Sequence, residues 1–430
     1  MPREFNYWLT TVRMPASPAQ PLPEKADVAV IGGGYTGLSA ALSLAQRGAK
    51  VVVLESETIG WGASSRNGGM VLSGLKLGVN QLISRYGREL TRRMYAASLE
   101  SIDAIERLVK EESIDCDFAR TGHLEVACKR AHFDDYARQV EVIGRECNHF
   151  LRVVGRERLR DEIGSDIYFG GMVDEGSAGL NPARYVAGLA VAAMRAGAQI
   201  SERTRLQNIQ REFRDGSPGF RLNSSQGSFW ARNVLVGSSG YTGAATPALR
   251  RKIIPIGSFI IATEVLSEAL ARQLSPRNRQ IYDSKNYLYY YRLTPDNRML
   301  FGGRAAFFPE TDRTIRKSAD ILRLGMIEVY PQLREAKVEY VWGGTLDFCF
   351  DSMPHAGKID GLYFAVGYAG HGVAMATLQG EKMAEWITEG KTDNPFTEIP
   401  MPGAPFGLYN GKPWFLPFAG AYYKVLDWIS

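Results

Sequence analysis

The sequence predicts an α/β fold in which a Rossmann-type βαβ half is interleaved with an α+β half built on an antiparallel sheet. Within the 430 residues, positions 27–55 (DVAVIGGGYTGLSAALSLAQRGAKVVVLE) run strand, glycine turn, helix, strand, acid. A second glycine-rich turn, GYAGHG at 367–372, opens another helix far downstream. Between the two, residues 258–263, 287–292 and 299–305 alternate in the manner of antiparallel strands with one buried face.

Ala29, Val30 and Ile31 form an apolar run of the kind buried on both faces of a parallel sheet. Residues 37–47 are rich in Ala and Leu and read as a helix, and 51–54 is the return strand. Gly32, Gly34 and Gly37 hold the three glycine positions of GxGxxG, where a side chain would block the tight turn, the approach of a pyrophosphate, or helix–strand packing. Tyr35 and Thr36 complete that turn. Phosphates would then meet the helix N-terminus, whose free N–H groups and dipole favour an anion. Glu55, followed by Ser56, ends the second strand where a carboxylate can accept hydrogen bonds from both ribose hydroxyls, which favours FAD or NAD over a 2′-phosphorylated nucleotide.

The segment GWGASSRNGG at 60–69 supplies Gly62, Ala63, Ser64, Ser65, Arg66, Asn67, Gly68 and Gly69. Small residues let backbone lie flat against a large planar ligand; the same composition also suits a mobile loop of turn formers. Downstream, 362–365 is another short strand, and Gly370, His371 and Gly372 lead into a helix that starts with Val373 and Ala374 and runs to about 389. Such an N-terminus, aimed at a flavin ring, would stabilise the negative charge that builds on reduction. His371 either caps this helix or touches the flavin.

Composition narrows the class. The formal net charge of +5 is too small and too evenly spread for nucleic acid, though its sign suits a small anionic ligand. The cysteines Cys116, Cys128, Cys147 and Cys349 show neither CxxC spacing nor a disulfide framework, so a reduced, cytoplasmic compartment is expected and no metal site. The proline-rich first 25 residues lack a signal-peptide pattern and are expected to lie as an extended arm on the surface. No stretch reaches the roughly 20 apolar residues of a spanning helix. The aromatic tail at 412–430 either packs on its own domain or meets a membrane or another subunit.

The opening GGGYTGLSAALSLAQRGAKVVVLE, the GASSRNGG segment and VGYAGHGVAMATLQG together resemble the FAD-dependent D-amino-acid-oxidase superfamily. WGASSRNGG, WGGTLDF and MPHAGKIDGLYFAVGYAGHG are most similar to its γ-glutamylputrescine oxidase-like branch. The resemblance spans about residues 25–400 and implies a glutathione-reductase-like FAD-binding domain from 1–74, 171–251 and 336–400. A substrate domain from 75–170, beginning with a helix over 75–112, and from 252–335, and a tail at 401–430 complete the expected layout. It also implies that residues 179–200 return to the FAD domain, that Arg205 and Leu206 lie near the adenine, and that Ser238 and Gly240 follow a strand facing the pyrophosphate.

On the substrate side, the period of two puts Tyr287, Tyr289 and Tyr291 on one face and Leu288, Tyr290 and Arg292 on the other. Tyr287 is the candidate for lining the site, against ordinary cross-strand packing. Arg304 resembles in position the family's active-site basic residue and would clamp a substrate carboxylate through two parallel hydrogen bonds; the alternative is a strand-end surface arginine. Trp342 and Trp61 are candidate aromatic walls, and His355 a candidate loop histidine. Two departures matter. The position of the family's flavin-linking cysteine falls near Gly344, with Cys349 five residues on, so FAD is expected to be non-covalent. The family's oxygen-activating lysine corresponds to Leu300, which puts oxygen in question as acceptor.

The implied reaction is oxidation of a small amine or amino-acid-like substrate by hydride transfer to flavin N5, with imine hydrolysis. Reoxidation would be by O2 or, alternatively, by a quinone or carrier. A flavin-binding subunit or sensor without turnover is the reading from another class. No triad-type base is needed for any of these.

Overall fold

The computed structural model describes residues 2–18, 20–303 and 312–429. Strand Lys25–Ile31 pairs in parallel with Val51–Leu54 on one side and with Gly227–Val236 on the other. Gln199–Ser201 extends the sheet past Val51–Leu54, and Leu362–Val366 joins the far end of Gly227–Val236, both in parallel. The apolar runs of these strands are buried on both faces, as continuous Val-rich strands require. Helices Tyr35–Gln46, Pro182–Arg195 and Gly372–Glu389 cover one face, and the antiparallel strands Leu206–Arg214 and Ser217–Ser224 help cover the other. Gly37 makes the first crossing close: a Cβ there would sit 1.9 Å from the Gly32 carbonyl oxygen.

The second sheet has nine strands among the described residues. Its order is Arg3–Glu4, Val338–Phe348, Ile254–Thr263, Met299–Gly303, Tyr289–Leu293, Gln280–Asp283, His123–Val126, Gly170–Asp174, Arg152–Gly155. Only the Arg3–Glu4 and Gln280–Asp283/His123–Val126 pairings are parallel among them. Phe259, Ile261, Met299, Phe301 and Tyr291 point to the rear, where Leu322 and Met326 of helix Asp312–Val329 bury them. The opposite face turns toward the parallel-sheet half.

Four expectations need correction. Gly170–Asp174 and Val338–Phe348 belong to this antiparallel sheet, so the expected domain boundaries at 171 and 336 fall inside it. The strand expected from 287 begins at Tyr289, because the turn before it is held by Asp427, whose carboxylate accepts from the Asn286 and Tyr287 N–H groups at 2.8 and 2.9 Å. The helix expected to begin near 75 divides into Val79–Tyr86 and Arg88–Glu111 at Gly87, whose φ of +80° breaks the helical path. The N-terminal arm is not all surface: Trp8 is wholly buried, and its Nε1 donates to the Asn67 carbonyl at 2.9 Å.

Helix Leu416–Ile429 packs on its own chain, Leu416 lying against Ile254 and Ile256 beside Tyr287 and Phe348. Trp414, Phe418 and Tyr422 remain exposed. No helix among the described residues is long and apolar enough to cross a membrane.

Candidate functional site

Strand Lys25–Ile31 ends at Gly32, whose φ of +109° and approach to Gly237 (3.1 Å from a would-be Cβ to its carbonyl oxygen) leave no room for a side chain. Gly34 then starts helix Tyr35–Gln46 without a side-chain cap. The Ser64 hydroxyl accepts from the Tyr35 N–H at 3.0 Å, and the Thr36 hydroxyl meets the Tyr368 hydroxyl at 2.7 Å. At the end of the neighbouring strand, the Glu55 carboxylate accepts from the Gly33 N–H at 2.7 Å and the Glu57 N–H at 2.9 Å. Burial pushes the Glu55 carboxyl up, against these two donors, which favour the anion.

These groups open on a cleft of about 360 Å³, within the range of cofactor sites. Of the residues singled out from sequence, Gly32, Gly34, Tyr35, Thr36, Glu55 and Ser56 line it. Gly62, Ala63, Ser64, Asn67, Leu206, Ser238, Gly370, Gly372 and Val373 line it too. Trp61 and Arg205 line it as well. Other expected residues stand behind this wall. Gly37 serves helix packing, Ser65 is buried with its carbonyl accepting from Asn6 Nδ2 at 2.8 Å, and Gly240 lies against the Leu346 carbonyl. Arg66 donates to the Trp61 and Gly343 carbonyls at 2.8 and 3.2 Å, its guanidinium 4.9 Å from the Trp61 ring centre. Trp342 Nε1 donates to the Arg66 carbonyl at 3.0 Å, so this indole fastens the 60–69 segment. Ala374 is buried in the first turn of its helix.

Sequence reasoning missed Asp347 and Tyr368. Asp347, buried at the end of Val338–Phe348, accepts from the Gly367 N–H at 2.5 Å and so fixes the second glycine turn; burial pushes its carboxyl up. The available signal was an acid in the otherwise apolar stretch VWGGTLDF. His371 occupies the cap position of helix Gly372–Glu389, but its side chain makes no capping hydrogen bond. Its Nδ1 is buried without a partner among the described residues, and burial pushes its pKa down to about 4. His355 is no loop residue: it starts strand His355–Ile359, buried, with Nε2 3.0 Å from Asp351.

The face of the antiparallel sheet opposite this cleft carries Tyr290 rather than Tyr287. Tyr290 lies against Gly68, 3.2 Å from the position of an added Cβ, and its hydroxyl is 3.1 Å from Ser258 Oγ. Arg292 on the same face donates to Gly69. Tyr287 sits in the preceding turn against the C-terminal helix, since Asp427 ends the strand there. Arg304 lies outside the described residues. Leu300 is buried on the sheet in register with Ala262 and Arg292.

The residues fit FAD: two glycine positions where a Cβ would fill the turn, a carboxylate at the end of the second strand, and a second helix start facing the same cleft. None of the four cysteines lines it; Cys349 Sγ points to the core beside Gly367, and a Cβ on Gly344 would meet Arg66 at 3.2 Å. No group of metal-binding side chains occurs among the described residues.

Comparison with known proteins gives the same picture. The chain is 36% identical over 373 residues to the probable oxidoreductase OrdL of Haemophilus influenzae, covering 85% of this chain and 83% of the relative. It is 34% identical over 407 residues to the gamma-glutamylputrescine oxidoreductase of Escherichia coli, covering 93% and 92%. Its fold matches glycine oxidase from Geobacillus kaustophilus with a TM-score of 0.74 at 21% identity, over 89% of this chain and 100% of that one. Residues 27–386 match the model of the family described as FAD dependent oxidoreductase, and the chain belongs to that family.

Proposed function

We propose that this flavoenzyme oxidises a C–N bond of a small amine or amino-acid-like substrate, with γ-glutamylated polyamines the first substrates to test. The observation that carries the reading is the similarity to gamma-glutamylputrescine oxidoreductase over 93% of this chain and 92% of that protein. Bound FAD would accept a hydride from the carbon bearing the amine, leaving an imine that water hydrolyses, and would be reoxidised by O2 to give H2O2 or by another acceptor.

The protein's own part is to hold and orient. Glu55 and the glycine turn are assigned the adenosine ribose and pyrophosphate; the 60–69 segment, fastened by Trp8, Trp342 and Arg292, is assigned the ring system. Tyr290 and the helix start at His371 are assigned the substrate space. Arg304, which follows strand Met299–Gly303, is assigned a substrate carboxylate on sequence grounds. Non-covalent attachment follows from the cysteines, none of which lines the cleft.

Leu300 favours keeping an acceptor other than O2 as the second reading. Anaerobic mixing with γ-glutamylputrescine, free amino acids and N-methyl amino acids tests the reaction through bleaching of the flavin band. Bleaching by none of them removes the oxidoreductase reading for amines. Admitting air then separates the acceptors, since slow return of colour favours the dehydrogenase. Flavin that stays with acid-precipitated protein would overturn non-covalent binding.

A further inference from the structure

Away from the dinucleotide cleft, unpartnered polar atoms collect where the two halves face one another. His123 is buried with neither ring nitrogen hydrogen-bonded among the described residues, and Gln280 on the adjacent strand has its Oε1 in the same state. His371 Nδ1, from the other half, is a third such group, and His123 acts on it electrostatically. Buried polar atoms in proteins are as a rule paired, so a convergence of three groups marks a place built for a polar ligand.

The next inward position along the same strand is Glu125. Its carboxylate accepts from the Tyr282 hydroxyl at 3.1 Å and the Tyr136 hydroxyl at 3.3 Å and makes no ion pair among the described residues. The His123 ring stacks on Tyr282, with centroids 4.8 Å apart and planes 17° apart, so the unpaired nitrogens and the carboxylate belong to one surface. Glu125 also lines an outer pocket with His132, Asp135 and Ser284, which gives it a route to solvent. Tyr290, Tyr282 and Glu125 are directly paired across three strands. The span from Tyr290 to Glu125 is therefore two strand spacings, about 10 Å.

We propose that Glu125, presented by Tyr282 and Tyr136, is a specificity-determining residue that receives a second, positively charged nitrogen of the substrate, about 10 Å along the sheet from Tyr290. The preferred substrates are extended amines with a remote ammonium group. This rests on the amine-oxidising reading above and names the substrate class within it. Two donated hydroxyl hydrogens leave about two of the carboxylate's roughly four lone-pair sites free for an ammonium. The Tyr282 ring stands beside the carboxylate with one face covered by His123. Burial keeps His123 neutral by pushing it down to about 4, so it does not repel one. Lys76, itself exposed, acts electrostatically on both Glu125 and His371, so a substrate ammonium shares the carboxylate with it. A monoamine would leave the carboxylate unmatched, which is how such a site discriminates.

The test compares 1,6-diaminohexane with hexylamine on the holoenzyme. Wild type should prefer the diamine, and Glu125→Gln should lower kcat/KM for it about 10- to 100-fold, mainly through KM, while moving hexylamine less than about threefold. Glu125→Asp should recover part of the loss. Equal effects on both amines, no effect on either, or no diamine preference in wild type overturns the proposal; the last holds even if the variants do not fold. Melting of the holoenzyme with each amine gives a readout free of turnover. A diamine shift that depends on Glu125 without flavin reduction by any amine would retain the subsite and sink the functional reading. Turnover without Glu125-dependent discrimination would do the reverse, and absence of both overturns both.

Discussion

Arg292 of the antiparallel sheet donates through Nη1 to the main-chain oxygen of Gly69 at 2.9 Å, in the segment that borders the dinucleotide cleft. The same nitrogen reaches the Leu180 carbonyl at 3.0 Å, and the buried side chain has no carboxylate partner among the described residues. Burial pushes the guanidinium down to about 10. A buried cation spent on three carbonyls, the third that of Leu293 at 3.2 Å from Nε, is a costly way to hold a loop, so its removal should be felt at the cofactor. Arg292→Leu is expected to destabilise by about 1.5–3 kcal/mol and to speed FAD release. Thermal melting and flavin fluorescence on dilution measure both, and unchanged FAD retention would mean the loop stands without Arg292.

Glu55 holds its place through the Gly33 and Glu57 N–H groups. Replacing one charged acceptor costs about 1.5–3 kcal/mol, so Glu55→Gln should weaken FAD binding roughly 10- to 100-fold. Titration of FAD into apoprotein measures this. An affinity within twofold of wild type would remove Glu55 from the ribose.

Acid should destabilise the protein through His123. An unfolded histidine takes up a proton as pH falls through about 6.5, whereas burial delays the folded one until about 4. The folded state therefore loses up to about 3 kcal/mol as pH falls through that window, and nothing from this group above it. His123→Asn should flatten the melting temperature against pH between pH 6.5 and 4. Parallel curves for the two proteins would show that His123 titrates normally.

Gly37→Ala places a methyl 1.9 Å from the Gly32 carbonyl oxygen, a backbone atom that cannot swing aside. Overpacking of this kind costs about 1–3 kcal/mol or more. Reduced soluble yield and a low flavin-to-protein absorbance ratio are expected; a variant that melts and binds FAD as wild type would show that strand and helix separate easily.

Asp427 ties the C-terminal helix to the turn before Tyr289 by accepting from Asn286 and Tyr287. Asp427→Ala should lower stability by about 1–3 kcal/mol and expose the last helix to protease. Limited proteolysis followed by mass measurement reports this, and an equally resistant tail would assign its anchoring to Leu416 and Phe415 instead.

The dinucleotide half was legible because its signals are local. Gly32, Gly37 and Glu55 lie within one short stretch, and each answers a steric or hydrogen-bonding need that sequence spacing reveals. Tyr290 and Tyr287 show where locality fails. Period two separates the two faces correctly but does not say which face meets the cofactor half, and the strand's start is set by Asp427, 140 residues away from Tyr287. Asp347 escaped for a related reason: its partner N–H belongs to Gly367 on another turn. The burial of Trp8 could not be read either, since the acceptor for its indole is the Asn67 carbonyl.

Arg3 and Glu4 pair with Tyr340 and Val341, and Trp8 lies under the 63–69 segment. Arg3 and Glu4 thus wait for residues 340 and 341 before they can settle. Contacts of such separation close large loops and slow folding. The pairing of Arg3 and Glu4 with Val338–Phe348 forms only after residue 341 has been made, so this edge of the antiparallel sheet closes late.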